Sequence, residues 1–381
     1  MTTEPSRRRL FAGGAAALLA APAARAGIPV PLPFGGKKPP LVDVWDVVRA
    51  TGAPAAGGVV VTAKAEPFLG VAGRRRANLP QEVTPADLWD IGSNTKALTA
   101  ALYARYVEAG KASWSAKLPA LLPDLKLDPA WADTSIYDVM AHRAGLSDVG
   151  VIEADFLAGA AADPRPATEQ RTALVAQVLA QPPRRPPGGF EYSNLDYVIA
   201  GAAIERIAKS SWEDAMRAQV FAPLGMAHAG FGAPTGEEPW GHRLGDDRRL
   251  HPVSPADLAD YPVVLAPSGG VHLSLADYAR FARVFLVDGG GFLQPDSLHR
   301  LARPWGGQSG DYGLGWQVTE GEGWAQGPLL SHEGSNGLWH AQVQLAPARG
   351  VAVISCANAE TGGGIEAARR LSLKLVQAYA A

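Results

Sequence analysis

Ile91-Gly92-Ser93-Asn94-Thr95-Lys96 runs directly into Ala97-Leu98-Thr99-Ala100-Ala101-Leu102-Tyr103. The alanine-rich run predicts a helix, and Ser93 and Lys96, three residues apart at its opening, fall on one face about one turn from each other. That places a hydroxyl nucleophile beside an amine base. The helix N-terminus adds unpaired backbone N–H groups and positive potential, which favour negative charge on Ser93 or on an oxyanion beside it. Ser-x-x-Lys alone carries little weight, because a capping serine followed by an exposed lysine gives the same pattern. The rest of the chain has to supply partners.

Working outward, the helix should run to about Glu108, with Gly110 as its C-terminal glycine. It is apolar on nearly every face, so it belongs in the middle of the molecule. On its N-terminal side, helical spacing over Leu41–Ala50 is followed by the β-branched run Gly58–Ala63 and then Pro67–Gly73, a helix and a hairpin. Thr84-Pro85-Ala86-Asp87 reads as a capped turn. From Leu118 to Pro267 the pattern changes to helical patches (Ala173–Leu179, Tyr197–Ala208, Trp212–Phe221) separated by Pro- and Gly-rich loops. Strand patterns return at Tyr312–Val318, Leu329–His332, His340–Leu345 and Val351–Cys356, and a helix over Ile365–Tyr379 closes the chain. Both chain ends are therefore expected to build one sheet, with a helical segment inserted between them.

Two further motifs lie in loops. Gly188-Gly189-Phe190-Glu191-Tyr192-Ser193-Asn194 precedes an apolar helix, where Tyr192 and Asn194, two apart, can face a cleft together. Tyr192 is a candidate general base if the Lys96 ammonium lowers its pKa, and Asn194 can hold a substrate carbonyl; Ser193 or Asn194 also fits as an ordinary helix cap. His332-Glu333-Gly334-Ser335-Asn336-Gly337 ends a strand. Glycine at 334 lets a substrate lie against the strand backbone, and the Ser335 N–H can donate to an oxyanion. His332 by itself reads as a packed or surface histidine.

Taken together, Ser93-x-x-Lys96, Tyr192-Ser193-Asn194 and His332-x-Gly334 resemble, in order and in wide separation, the three motifs of the penicillin-recognising serine hydrolases. The likeness is to the branch of class C β-lactamases, D-alanyl-D-alanine carboxypeptidases and related esterases, which use Tyr-x-Asn. Accessory segments agree: Phe68–Gly73, Asp90–Ser93, Met140–Leu146, Pro223–Met226, Ser268–Val271 and Tyr312–Trp316. The resemblance implies an α/β (α+β) fold of the β-lactamase/transpeptidase type, an antiparallel sheet flanked by helices. Its sheet lobe would span about 41–115 and 268–381, and an inserted all-helical lobe about 116–267. It also implies Ser93 as the nucleophile of an acyl-enzyme and Lys96 and Tyr192 as the proton-transfer groups. Asn194, His332 and Gly334 would contact substrate, the N–H groups of Ser93 and Ser335 would form the oxyanion hole, and no metal or cofactor would be needed. Where penicillin-recognising relatives usually carry Lys-Thr-Gly, this chain has His332, and after Lys209 its only lysine is Lys374. A histidine near its reference pKa of about 6.5 is mostly neutral at pH 7, so a carboxylate-bearing substrate loses its fixed counter-charge. The expectation is a hydrolase of uncharged esters or small amides. A β-lactamase or carboxypeptidase of low activity is the alternative, and a non-catalytic sensor or binding domain is the alternative of another class.

Composition limits the partners. The 381 residues carry a net charge of −2 without a basic stripe, which points away from nucleic acid, and no apolar run after the first segment is long enough for a bilayer span. Small-molecule ester, amide or peptide substrates are the expected partners. The order Ser6-Arg7-Arg8-Arg9-Leu10-Phe11, an apolar stretch to Leu19 and Ala24-Arg25-Ala26 reads as a twin-arginine signal peptide over 1–26, followed by a Pro/Gly-rich linker over 27–40. A periplasmic or secreted mature domain over 41–381, without a transmembrane anchor, is the consequence. Cys356 is the single cysteine, so no intrachain disulfide can form, and its strand context reads as packing.

Overall fold

The structure is a computed structural model and describes residues 42–256, 261–307, 312–320 and 322–380. The signal peptide and linker read over residues 1–40 lie outside the described residues. Helix α1 (Val44–Thr51), capped by the Asp43 carboxylate on the Trp45 N–H, leads into strands β1 (Ala55–Thr62) and β2 (Phe68–Gly73). The two strands pair antiparallel as a hairpin. The C-terminal strands are β8 (Gln317–Thr319), β9 (Leu329–Ser335), β10 (His340–Ala346) and β11 (Val351–Ala357). They complete a six-stranded sheet in the order β2-β1-β11-β10-β9-β8, antiparallel throughout, so the two ends of the chain meet where β1 pairs with β11.

Seven of the eight β1 residues and all seven of β11 are buried, because both faces of these central strands are covered. Helix Gly364–Tyr379 packs its Leu371 and Leu375 on the Gly58 side, while Leu275, from helix Leu275–Val284, and Trp89 approach Gly57 on the other. Cys356 is buried in β11 with its thiol toward the Gly57 carbonyl, a packing role as read.

Helix α2 (Thr95–Glu108) is the hub: eleven of its fourteen residues are buried, which only a helix surrounded on all sides can manage. A single 3₁₀ turn, Gly92–Asn94, leads into it. It ends in a Schellman motif, with Gly110 N–H on the Val107 carbonyl, Lys111 N–H on that of Tyr106 and φ of +68° at Gly110.

The segment between is mostly helical, including Ala167–Leu179 and Asn194–Ala208, which extend patches visible in the sequence, and Trp212–Met216, which covers the first half of the patch read to Phe221 and continues as a π-helical turn over Arg217–Phe221. It also contributes three short strands. β4 (Ala229–Phe231) joins β3 (Leu88–Asp90) and β7 (Val271–Ser274) in a three-stranded sheet, and β5 (His242–Leu244) pairs with β6 (Leu250–Pro252). At three residues each, they are too short to show the alternation that marks a strand in sequence. The strand read over Tyr312–Val318 is likewise shorter: β8 begins at Gln317, and Tyr312 reaches it through an isolated bridge.

Candidate active site

The 3₁₀ turn places Ser93 at the mouth of α2, and Lys96, one turn on, is fully buried. Lys96 Nζ lies 3.1 Å from Ser93 Oγ, 2.8 Å from Asn194 Oδ1 and 2.8 Å from the Ser268 carbonyl oxygen. Burial drives its pKa down from 10.5 to about 7, opposed by the charges of Asp148 and Asp196. At neutral pH a large fraction of Lys96 is therefore the free amine. That amine has two N–H groups and one lone pair, and two of its neighbours, an amide oxygen and a carbonyl oxygen, can only accept. The lone pair is left facing the Ser93 hydroxyl.

Asn194 presents its oxygen to Lys96 because its amide nitrogen donates to Asp148 Oδ2 at 2.9 Å. The same carboxylate accepts the N–H groups of Asn194 and Leu195 at 3.0 and 3.2 Å and the Ser193 hydroxyl at 2.6 Å. It caps helix Asn194–Ala208 from a different loop, while Ser193 is the helix's own N-cap, its Oγ accepting from the Leu195 N–H. Ser193 is thus the cap, and Asn194 faces Lys96. Asp148 was not singled out in the sequence. Its only signal is its place two residues beyond Met140–Leu146, and its partners lie 45 to 47 residues on.

Tyr192 lies across this group, its hydroxyl facing Ser93 and its ring 4.8 Å from Lys96 Nζ. The residue is 39% exposed overall, yet its hydroxyl end is the buried part, and that burial raises the phenol pKa above 10. The sequence reading had the Lys96 ammonium lowering this pKa; desolvation wins instead, and Tyr192 is a neutral phenol. Its ring packs on His142 (centroids 4.5 Å apart), which lies 2.6 Å from the buried Asp196 carboxylate. Burial holds His142 well below and Asp196 well above their usual pKa values, and the pair sits beneath Tyr192.

On the far side, His332 in β9 is 4% exposed. Its Nδ1 donates to the Glu333 carbonyl at 2.7 Å and its Nε2 accepts from the Tyr312 hydroxyl at 2.8 Å. Burial and the neighbouring Lys96 charge push its pKa down to about 3, so it is neutral at pH 7. Gly334 is in direct backbone contact with the turn that carries Ser93: a Cβ there would lie 2.0 Å from the Ile91 carbonyl oxygen and 2.7 Å from the Ser93 nitrogen. Gly92, at φ +49°, meets the Ser335 nitrogen in the same way, 2.4 Å from where its own Cβ would be. Only two glycines permit this approach, and it brings the backbone at Ser93 beside that at Ser335.

All seven residues singled out in the sequence thus converge: Ser93, Lys96, Tyr192, Asn194, His332, Gly334 and Ser335. Of six aromatics in the loops around the motifs, Tyr312 bonds His332 and Tyr261 bonds the Ser268 hydroxyl at 2.8 Å. Trp339 is in the core against Trp89, Trp305 donates to Asp138, Trp240 carries Arg76 on its face, and Phe156 lines a separate cavity between helices. Among the described residues no cluster of His, Cys, Asp and Glu could hold a metal ion, and no helix is long and apolar enough to cross a membrane.

A family model described as Beta-lactamase matches residues 45–378. A putative penicillin-binding protein of Bacillus subtilis, PbpX, is 26% identical over 62% of this chain and 55% of its own length. An unguisins hydrolase of Aspergillus campestris is 26% identical over 74% of this chain and 54% of its own. The chain therefore spans just over half the length of these curated relatives. Among solved structures, a D-amino acid amidase from Ochrobactrum anthropi SV3, complexed with L-phenylalanine, superposes with a TM-score of 0.69 over 88% of this chain and 98% of that one. At 17% identity that likeness speaks for the fold alone. The three motifs, the six-stranded sheet built from both chain ends and the match over residues 45–378 agree, and the chain belongs to the beta-lactamase family.

Proposed function

We propose that this protein is an exported serine hydrolase that cleaves an uncharged ester or small amide through an acyl-enzyme on Ser93. The observation that carries it is the surrounding of Lys96, whose two acceptor-only neighbours leave its lone pair for the Ser93 hydroxyl. In acylation the Lys96 amine takes the Ser93 proton as Oγ attacks the carbonyl carbon. The oxyanion forms against the N–H groups of Ser93 and Ser335. The Tyr192 phenol, neutral and facing Ser93, hands a proton to the departing alkoxide or amine and recovers one from Lys96. Water then attacks the acyl-enzyme, and the same groups return Ser93 to its starting state. Asn194 and the β9 backbone at Gly334 hold the substrate.

Substrate choice follows from His332. A neutral imidazole whose two nitrogens are engaged by Tyr312 and Glu333 offers a substrate carboxylate no fixed charge. This ranks uncharged esters and amides above penicillins and C-terminal D-alanine peptides. Export rests on the basic, apolar and small-residue order of residues 1–26.

The test is hydrolysis of p-nitrophenyl butyrate by the mature domain, with Ser93→Ala as control and a chromogenic cephalosporin alongside. Ester turnover that disappears in the variant is the expected result. Faster turnover of the cephalosporin than of any simple ester would reverse the substrate order. Absence of turnover on both would favour a binding domain.

A further inference from the structure

We propose that Asp90 and Asn336 form a clamp that sets the spacing between the Ser93 and Ser335 N–H groups, making Asp90 a positioning residue for acyl transfer. The inference rests on the hydrolase reading above and adds to it a residue outside the three motifs.

Asp90 ends β3 and is 1% exposed. One carboxylate oxygen accepts the Gly92 N–H at 2.8 Å, and the other accepts from the Asn336 side-chain nitrogen at 3.2 Å. Gly92 immediately precedes Ser93, and Asn336 immediately follows Ser335. A single carboxylate therefore ties together the two turns that carry the oxyanion-binding groups. The orientation of the Asn336 amide is fixed from its other end, where Oδ1 accepts the Leu338 N–H at 3.1 Å. The Ser335 hydroxyl accepts the Gly337 N–H at 2.9 Å and tightens the same turn.

The clamp stands on fixed ground. Asp90 lies opposite His272 in the β3–β7 pair, and the Ile91 N–H continues that ladder to the Val271 carbonyl at 3.1 Å. Gly92 and Gly334 allow the two turns to touch but do not hold them, since glycine contributes no side chain to lock a separation. A charge-assisted pair of hydrogen bonds does hold them. Oxyanion stabilisation depends steeply on donor placement: losing one donor costs about 10²–10³ in kcat, and a shift of about 1 Å costs on the order of 10².

The two side chains are complementary in a way that can be inverted. Asp90→Asn keeps an acceptor for Gly92 but turns a donor against the Asn336 donor. Asn336→Asp sets two carboxylates against each other. The double variant, Asp90→Asn with Asn336→Asp, restores one donor facing one acceptor, keeps acceptors for Gly92 and Leu338, and conserves net charge. Each protein is assayed for p-nitrophenyl butyrate hydrolysis, for inhibition by phenylboronic acid, whose tetrahedral serine adduct places an oxygen in the oxyanion site, and for thermal unfolding. Each single variant should lose about 10- to 100-fold in kcat/KM, with boronate affinity falling in parallel, and the double variant should recover to within about fivefold of wild type. Should a single variant fail to fold, Asn336→Ala, which removes the bond to Asp90 together with the one from the Leu338 N–H in a partly exposed turn, takes its place and should show the same joint loss. Unchanged kcat/KM and boronate affinity in the single variants, losses that follow unfolding temperature alone, or a double variant no better than the worse single one would overturn the clamp. Wild-type turnover that does not depend on Ser93 would overturn the hydrolase reading itself, and the clamp with it. Ser93-dependent turnover with insensitive clamp variants would remove the clamp alone.

Discussion

Replacing Asp148 by asparagine tests whether Lys96 acts as the base at neutral pH. Lys96 must be unprotonated to accept the Ser93 proton, so kcat/KM for p-nitrophenyl butyrate should rise with pH through a limb near Lys96's pKa of about 7. Two units below that limb, only about one hundredth of the plateau rate should remain. Burial lowers this pKa, and the Asp148 charge is the largest effect raising it. The carboxylate reaches Lys96 through one amide, Asn194, along hydrogen bonds of 2.8 and 2.9 Å. This puts the two charges roughly 7 Å apart, worth about 2 kcal/mol at an effective dielectric constant of ~20. Asp148→Asn removes that attraction for the ammonium and should move the limb down by about one to two pH units. The other titratable groups around Lys96 do not change the sign: Asp196, the smaller of the two effects raising the Lys96 pKa, is present in both proteins, burial pushes His142 well below its usual pKa, His332 is neutral, and the Tyr192 phenol is pushed upward. The plateau will fall as well, because the substituted amide cannot accept all four hydrogen bonds that Asp148 accepts, so the position of the limb is the readout and not its height. A pH–rate profile from pH 4.5 to 9 for both proteins decides it. A limb that stays in place or moves upward would refute Lys96 as the titrating base.

Three further outcomes follow from the same geometry. Gly334→Ala puts a methyl against the Ile91 carbonyl and the Ser93 nitrogen; it should cost about 1–3 kcal/mol of stability in urea unfolding and lower turnover of the folded protein by at least about 10². Arg171→Met, distant from the site, strands the buried Glu205 carboxylate that Arg171 Nη2 holds at 2.6 Å. It should therefore destabilise by about 3–5 kcal/mol while leaving the per-molecule rate at low temperature unchanged. His332→Lys restores a fixed charge beside the nucleophile: the ratio of kcat/KM for a carboxylate-bearing ester over its uncharged analogue should rise roughly tenfold, and an unchanged ratio would show that position 332 does not set this preference.

Much of the site was legible in the sequence because its residues sit at element boundaries that have local signatures. Ser93 and Lys96 are one helical turn apart, Ser193 and Asn194 open a helix, and His332-Glu333-Gly334-Ser335 closes a strand; each relation depends on short-range backbone periodicity. The buried hub helix was likewise visible, since apolar residues on every face leave it no solvent side. Short strands such as β4 and β5 were not, because three residues carry no period. The sorting of aromatics was also beyond it: Tyr312 and Trp339 look alike in composition, yet one bonds His332 and the other fills the core.

What the sequence by itself determined is therefore the set of chemically active groups and the order in which the elements present them. Tertiary structure alone decided their states. Lys96 is brought near neutrality, and Tyr192 kept protonated, by burial beneath segments distant in the chain; Asp148 orients Asn194 across 46 residues; and Asp90 meets Asn336 across 246. Desolvation and long-range hydrogen bonds depend on what surrounds a group in space, and that information enters only when the two ends of the chain close into one sheet.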